Sequence, residues 1–156
     1  MSVKTNVMRI LDKAKIPYTV HDYSKSGAVS GADVAAALGQ DPERVFKTLV
    51  TKAKSKAYHV FMVPVENELD LKKAAKAVNE KSLEMIPQKE LLPTTGYIHG
   101  GCSPIGMKKS FDTVIDSSAE QFDTIVFSAG KIGLKVEMSP DDLKALIGLG
   151  FADIIC

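Results

Sequence analysis

The chain contains no tryptophan, only two cysteines and three histidines, and no apolar run long enough to cross a bilayer. Each shortage excludes something. A membrane-spanning helix needs about 18 or more consecutive apolar residues. The start, MSVKTNVMRILDKAK, sets charges where a secretory signal would carry an unbroken apolar stretch. The expectation is a soluble protein of the cytoplasm. Cys102 and Cys156 are far apart, with no CxxC spacing, so free thiols are expected rather than a disulfide framework. His21, His59 and His99 are scattered, with neither HExxH spacing nor neighbouring thiols, so no metal is expected, and no motif asks for a cofactor. Arginine is scarce as well: only Arg9 and Arg44 occur, and the net charge is +1. No global field steers such a chain toward a polyanion, and bidentate reading of DNA base edges, which favours arginine, is not expected. The lysines at 52, 54 and 56, at 72, 73 and 76, and at 108 and 109 permit local phosphate contacts. They serve equally well as solvated faces.

What is present is the composition of an ordinary globular protein, 45% hydrophobic and 25% charged over 156 residues. A chain this long buries roughly two thirds of its unfolded surface, so one core and one domain, 1–156, are expected. Val7, Met8, Ile10, Leu11 and Ala14 at helical spacing, after the capping candidates Thr5 and Asn6, predict a helix over 5–15 ended by Pro17. A strand near Tyr18 and Val20, a polar loop from Ser24 to Gly31 and a helix over 31–38 closed by Gly39 follow. The runs at 45–51 and 58–64 predict an antiparallel strand pair. Asp70 caps a helix over 71–78, with Leu71, Ala74, Ala75 and Val78 on its apolar face. Further strands are expected at 97–99, 111–116, 123–128, 133–138 and 151–155, with a helix from Ser139 to Gly148. Strands outnumber helices without regular interleaving, which points to an α/β (α+β) fold: a mixed, partly closed, barrel-like sheet with helices outside it.

Two features can carry chemistry. Lys47 in VFKTLV shares a strand face with Val45 and Leu49, so a charge sits among apolar neighbours. It is either an edge-strand lysine reaching back to water or an ammonium held in a cleft, where it would orient a carbonyl, a ribose oxygen or a phosphate. The second is Gly100-Gly101-Cys102-Ser103-Pro104-Ile105-Gly106. Consecutive glycines let a backbone approach a ligand and turn its amides inward as an anion nest, or they simply make a tight turn. The segment is neither a P-loop nor a dinucleotide fingerprint. Cys102 could be a nucleophile, but no histidine is paired with it by sequence, and a partly buried thiol is the commoner outcome.

Together, VFKTLV with Lys47, LDLKKAAKAV at 69–78, TGYIHGGCSPIGMKK at 95–109 and TIVFSAGKIGLKVEMSPDDL resemble the YbaK family of aminoacyl-tRNA deacylases across essentially the whole chain. The resemblance implies a domain related to the editing domain of bacterial prolyl-tRNA synthetases. The implied substrate is tRNA carrying a misplaced small amino acid, chiefly cysteine on tRNA(Pro), with tRNA(Cys) also possible. It implies Lys47 as the required lysine and Gly101 as the centre of the catalytic loop. Gly100, Ser103 and Pro104 would hold substrate, and Tyr23, Ser30, Ser128 and Gly130 would line the pocket. It further implies substrate-assisted chemistry, in which the cysteine thiol attacks its own ester and leaves a thiolactone, and a ternary assembly with prolyl-tRNA synthetase. Ser30-Gly31-Ala32-Asp33 stands where members often read Phe-Gly and acidic residues. Lys135 occupies an often acidic position, and His99 and Cys102 replace apolar residues of the loop. Alanine as the removed amino acid therefore stays open, as does a non-catalytic module that binds the acceptor end or a synthetase.

Overall fold

The computed structural model describes residues 4–23, 35, 36, 39 and 41–156. The loop expected at 24–31, the site candidate Ser30 and most of the helix expected at 31–38 lie outside them. Gly39, at φ +67°, holds the left-handed conformation expected of a closing glycine.

Helix α1, Asn6–Lys13, begins where the Thr5 hydroxyl accepts the amide of Met8, and it buries Val7, Met8 and Leu11. It ends before Pro17: Lys15 turns left-handed at φ +58°, and the Ile16 amide closes onto the Leu11 carbonyl. Strand β1, Thr19–Asp22, follows. Strands β2, Phe46–Ala53, and β3, Tyr58–Pro64, form the expected antiparallel pair, with Lys47 opposite Val63 and Val50 opposite Val60. Helix α2, Leu71–Ala77, starts at Asp70, whose carboxylate accepts the amides of Lys72 and Lys73 at 3.0 and 3.1 Å. Ala74 and Ala75 are its buried face; Leu71, expected there, is exposed because it begins the helix outside the packed turn.

The next segment departs from the sequence reading. Strand β4, Leu83–Met85, pairs with the end of β2. Helix α3, Gln88–Thr95, occupies a stretch to which the sequence reading assigned no element, and it closes at Gly96 with φ +87°. No strand forms at 97–99. The Thr95 hydroxyl accepts the Tyr97 amide and the Gly101 amide bonds the Ile98 carbonyl, so local hydrogen bonds bend the backbone away from any ladder. Strand β5, Asp112–Asp116, a 3-10 turn at Ser117–Gln121, β6, Ile125–Lys131, β7, Leu134–Met138, helix α4, Pro140–Ile147, and the short β8, Gly150–Ala152, complete the described chain.

The strands make one three-stranded sheet, β1-β7-β6, and one mixed five-stranded sheet, β4-β2-β3-β5-β8. Among the described residues a parallel bridge, Val45 to Val126, joins them, backed by the Val126 amide on the Arg44 carbonyl. β6 thus meets the start of β2 while β4 pairs with its end along the same edge. Lys47 stands just past the bridge, where the two sheets part. The main core, with Phe46, Met62, Ile115, Phe127 and Val136, lies on one side of this surface beneath α1 and α4. Phe61, Val63, Ala74, Ala75 and Ile154 pack on the other.

Candidate functional site

Alternation along β2 places Phe46, with Met62 of β3, in the main core. Lys47 therefore projects from the opposite side, over Val63. Its side chain is 30% exposed, and Nζ lies 3.9 Å from Glu68 Oε1, a carboxylate that is 85% exposed. A pair so open to water holds the ammonium weakly and leaves it free to exchange partners.

The bridge carries this face across to the smaller sheet. Partners in a parallel bridge direct their side chains to the same side, so Val126 shares the side of Val45, and Ser128, two residues on, shares that of Lys47. Ser128 is opposite Lys135 of β7, which is opposite His21 of β1. Tyr23, beyond β1, is buried with its ring 5.7 Å from Lys135 Nζ. Lys47, Ser128, Lys135 and Tyr23 therefore belong to one continuous face, opposite the core that holds Phe46, Phe127 and Val136.

The glycine loop reaches this region from behind. It is tied at its base by the Tyr97 hydroxyl, which donates to the Ile105 carbonyl, and by the Lys108 amide on the Thr95 carbonyl. Gly101 through Ile105 are buried. Gly101 lies against the β6–β7 turn so closely that a Cβ there would stand 3.3 Å from the Ile132 amide nitrogen. Cys102 packs instead with Val50 and Val60 of the larger sheet. One short loop thus touches both sheets, packing on the side of β2 that carries Phe46 and Val50, opposite the side from which Lys47 projects. Gly101 spends its own amide on Ile98, and the Ser103 hydroxyl accepts the Ile105 amide at 3.3 Å. The amides of Cys102 and Ser103 meet no protein acceptor among the described residues. Adjacent amides without a partner in a buried loop are costly unless a ligand or water takes them, which is the condition of an anion nest.

Gly130 supports the same region from the core side. At φ +92° its Cβ would come within 3.0 Å of Tyr97 Cε1 and 3.1 Å of Val7 Cγ2, and its amide donates to the Ser128 hydroxyl at 3.1 Å. Ser128 is thereby fixed by its own strand end. Ser103 and Pro104 are buried within the loop, and Gly100, at φ +87°, makes its first turn.

Burial sets the protonation chemistry. It pushes the Cys102 thiol up to about 12, with a smaller opposing effect from its hydrogen bond to Thr95, so this thiol is no thiolate at neutral pH. It pushes the Tyr97 phenol to about 12 and lowers the Lys135 ammonium to about 8. Below Lys135 on the same face, Glu137 receives His21 Nε2 at 2.8 Å and the Thr124 hydroxyl, with Arg44 3.8 Å away. Burial alone would raise the Glu137 carboxyl, but the Thr124, His21 and Arg44 contacts outweigh it and hold the group below its usual range. This network was not singled out from the sequence, although alternation in LKVEM puts 135 and 137 on one side. Among the described residues no three of His, Cys, Asp and Glu gather as a metal site would require, and no helix is long and apolar enough to cross a membrane.

Comparison with known proteins agrees with the resemblance drawn from the motifs. A protein of Enterococcus faecalis, EbsC, named provisionally as a Cys-tRNA(Pro)/Cys-tRNA(Cys) deacylase, is 45% identical over 97% of this chain and 93% of its own. Two solved structures share the fold. One, described provisionally as a trans-editing enzyme for prolyl-tRNA synthetase, has a TM-score of 0.84 at 22% identity and covers 99% of both chains. The other, of unassigned function, has a TM-score of 0.89 at 19% identity, covering 97% of this chain and 100% of its own. The family model described as the aminoacyl-tRNA editing domain matches residues 25–146. On that match and on its 45% identical relative, the chain belongs to the aminoacyl-tRNA editing domain family.

Proposed function

We propose that this editing enzyme works in trans in the cytoplasm as one domain, 1–156, and clears cysteine from mischarged tRNA(Pro), with Cys-tRNA(Cys) as a second substrate. The name carried by the Enterococcus relative supports the substrate. The single structural observation that supports the chemistry is the buried loop whose Cys102 and Ser103 amides meet no protein acceptor among the described residues; Lys47, on the strand the loop packs against, is the second element of the reading. In this reading the loop receives the ester carbonyl of the charged adenosine. The Lys47 ammonium orients the ester or the adjoining phosphate. The amides of Cys102 and Ser103 take the charge that develops on the carbonyl oxygen, and losing one such donor slows acyl transfer by roughly 100- to 1000-fold. Gly100, Gly101 and Pro104 shape the loop; Tyr23, Ser30, Ser128 and Gly130 bound the pocket.

The nucleophile belongs to the substrate. Cys102 is too deeply buried and too weakly acidic for the task. The cysteine sulfur instead attacks its own carbonyl, a C–S bond forms, the ester C–O bond breaks, and the ribose oxygen departs with the proton the thiol gave up. The products are a thiolactone and tRNA with a free terminal hydroxyl. The protein contributes geometry, which for reactions within one molecule supplies a large share of the acceleration. Near-neutral charge gives weak tRNA steering, so prolyl-tRNA synthetase is the partner proposed to deliver tRNA(Pro).

The test is Lys47→Ala with purified Cys-tRNA(Pro). Release of amino acid should be abolished while circular dichroism and melting stay those of the parent. Full activity in a folded Lys47→Ala protein would overturn the assignment.

A further inference from the structure

The most unusual side chain on the candidate face is one that the pocket chemistry above leaves unused. Lys135 is only 7% exposed. Among the described residues its ammonium has no ion pair and no hydrogen bond; its contact is the Tyr23 ring, 5.7 Å away. Lysine is almost never buried unless paired. Here the nearby acid is already committed, since Glu137 is engaged by His21, Thr124 and Arg44. The backbone adds no reason for a charge, because Val136 and Met138 on the other side of the same strand are ordinary core. A buried cation on the side of Ser128, with no acid among the described residues committed to it, is placed to receive a group from a ligand.

We propose that Lys135 is a specificity-determining residue of the editing pocket, which receives the side chain of the attached amino acid and favours cysteine because its thiol, unlike a methyl or hydroxyl group, can ionise against an ammonium. The proposal rests on the deacylase reading above and deepens it. Amine and thiol share one proton: the thiol S–H bond breaks as the nitrogen takes the proton, and the thiolate forms the C–S bond. As the ester C–O bond breaks, the ammonium returns that proton to the ribose oxygen. No oxidant, reductant or further reactant enters. Alanine offers nothing to ionise, and serine's hydroxyl is far too weak an acid, so neither draws on Lys135. The groups that face it are His21 and Tyr23 from β1 and beyond, Ser128 from β6, Lys47 past the bridge, and Glu137 with Arg44 below. Among the described residues the carboxylate in that set is Glu137, and it holds its own partners.

The experiment compares the parent chain with Lys135→Met, an apolar side chain of similar length, on tRNA(Pro) charged with cysteine, alanine or serine, from about pH 6 to about pH 9. Cysteine release should fall at least about tenfold at neutral pH, and its alkaline rise should move up by about one unit, the same effect in two forms. Alanine and serine, which carry no thiol to attack the ester, should be released only at background by both proteins. Release of alanine or serine above background by the parent, or cysteine release with an unmoved profile in Lys135→Met, would overturn the proposal. If Lys135→Met does not fold, the parent profile decides: it should rise at lower pH than the thiol of cysteine methyl ester titrates, and coincidence of the two would overturn it. A parent that releases no cysteine defeats the deacylase reading and this proposal together. An active parent with an indifferent Lys135→Met defeats this proposal alone.

Discussion

Replacing Lys135 by methionine should make the protein more stable at neutral pH. Burial lowers the ammonium from its ordinary 10.5 to about 8. At about 1.4 kcal/mol per unit, keeping that charge inside costs the fold about 3 kcal/mol wherever the lysine is protonated in both states. Loss of the contact with the Tyr23 ring returns about 1 kcal/mol, leaving a net gain near 2 kcal/mol. For a chain of this size that corresponds to a rise in melting temperature on the order of 5 °C. The sign with pH is fixed. The folded value lies below the unfolded one, so the penalty is complete below about 8 and fades as pH rises toward 10.5, where both states carry the neutral amine. Thermal melts of the parent and Lys135→Met at neutral pH and near pH 10 would show a gap that narrows with alkalinity. A variant that is less stable at neutral pH, or a gap independent of pH, would refute the claim that Lys135 is buried without a compensating partner. Stability gained while cysteine release is lost is the trade-off expected of a strained functional group.

Other predictions follow from single contacts. Gly106→Ala forces a Cβ to 2.9 Å from the Tyr97 hydroxyl oxygen at φ +77°, and should destabilise by about 1–3 kcal/mol in denaturant titration. Asp70→Ala removes the acceptor for two amides of α2 and should cost about 1 kcal/mol. Native thiol labelling should modify the exposed Cys156 quickly and the buried Cys102 only on unfolding. Glu137→Gln should lower the melting midpoint at neutral pH. The parent's advantage should disappear as the medium falls below the usual carboxyl value of 4.5, because a carboxyl held low in the fold contributes above that value and loses its contribution when protonated.

The parts of the fold that were legible in the sequence are those set by local chemistry. Thr5, Asp70 and Ser139 cap helices where expected, and Gly148 ends α4 left-handed, because each cap is a hydrogen bond between residues a few positions apart. The pairing of β2 with β3 was legible because a short connection leaves few registers. Helix α3 was not, since Pro93 reads as a breaker although it sits near the end of a helix that Gly96 closes. The strand expected at 97–99 fails because the Thr95 hydroxyl and the Ile98 carbonyl take the amides of Tyr97 and Gly101 into local turns, which an apolar YIH run does not announce. The contact of greatest consequence, Val45 with Val126, joins segments far apart in sequence and left no local mark. Lys47 was legible as a charge on an apolar strand, and its face and partial exposure agree with that reading. The unpartnered amides of Cys102 and Ser103 are a property of the folded loop and could not have been counted beforehand.

The most direct test of the account is the rate of amino-acid release from cysteinyl-tRNA(Pro) whose thiol has been methylated, set beside the unmodified substrate. The methyl group leaves the ester and the tRNA unchanged and takes away the ionisable thiol that attacks. The account predicts release from the free-thiol substrate and none above background from the methylated one. Comparable release from both would show that water or a protein group performs the attack, and would contradict it.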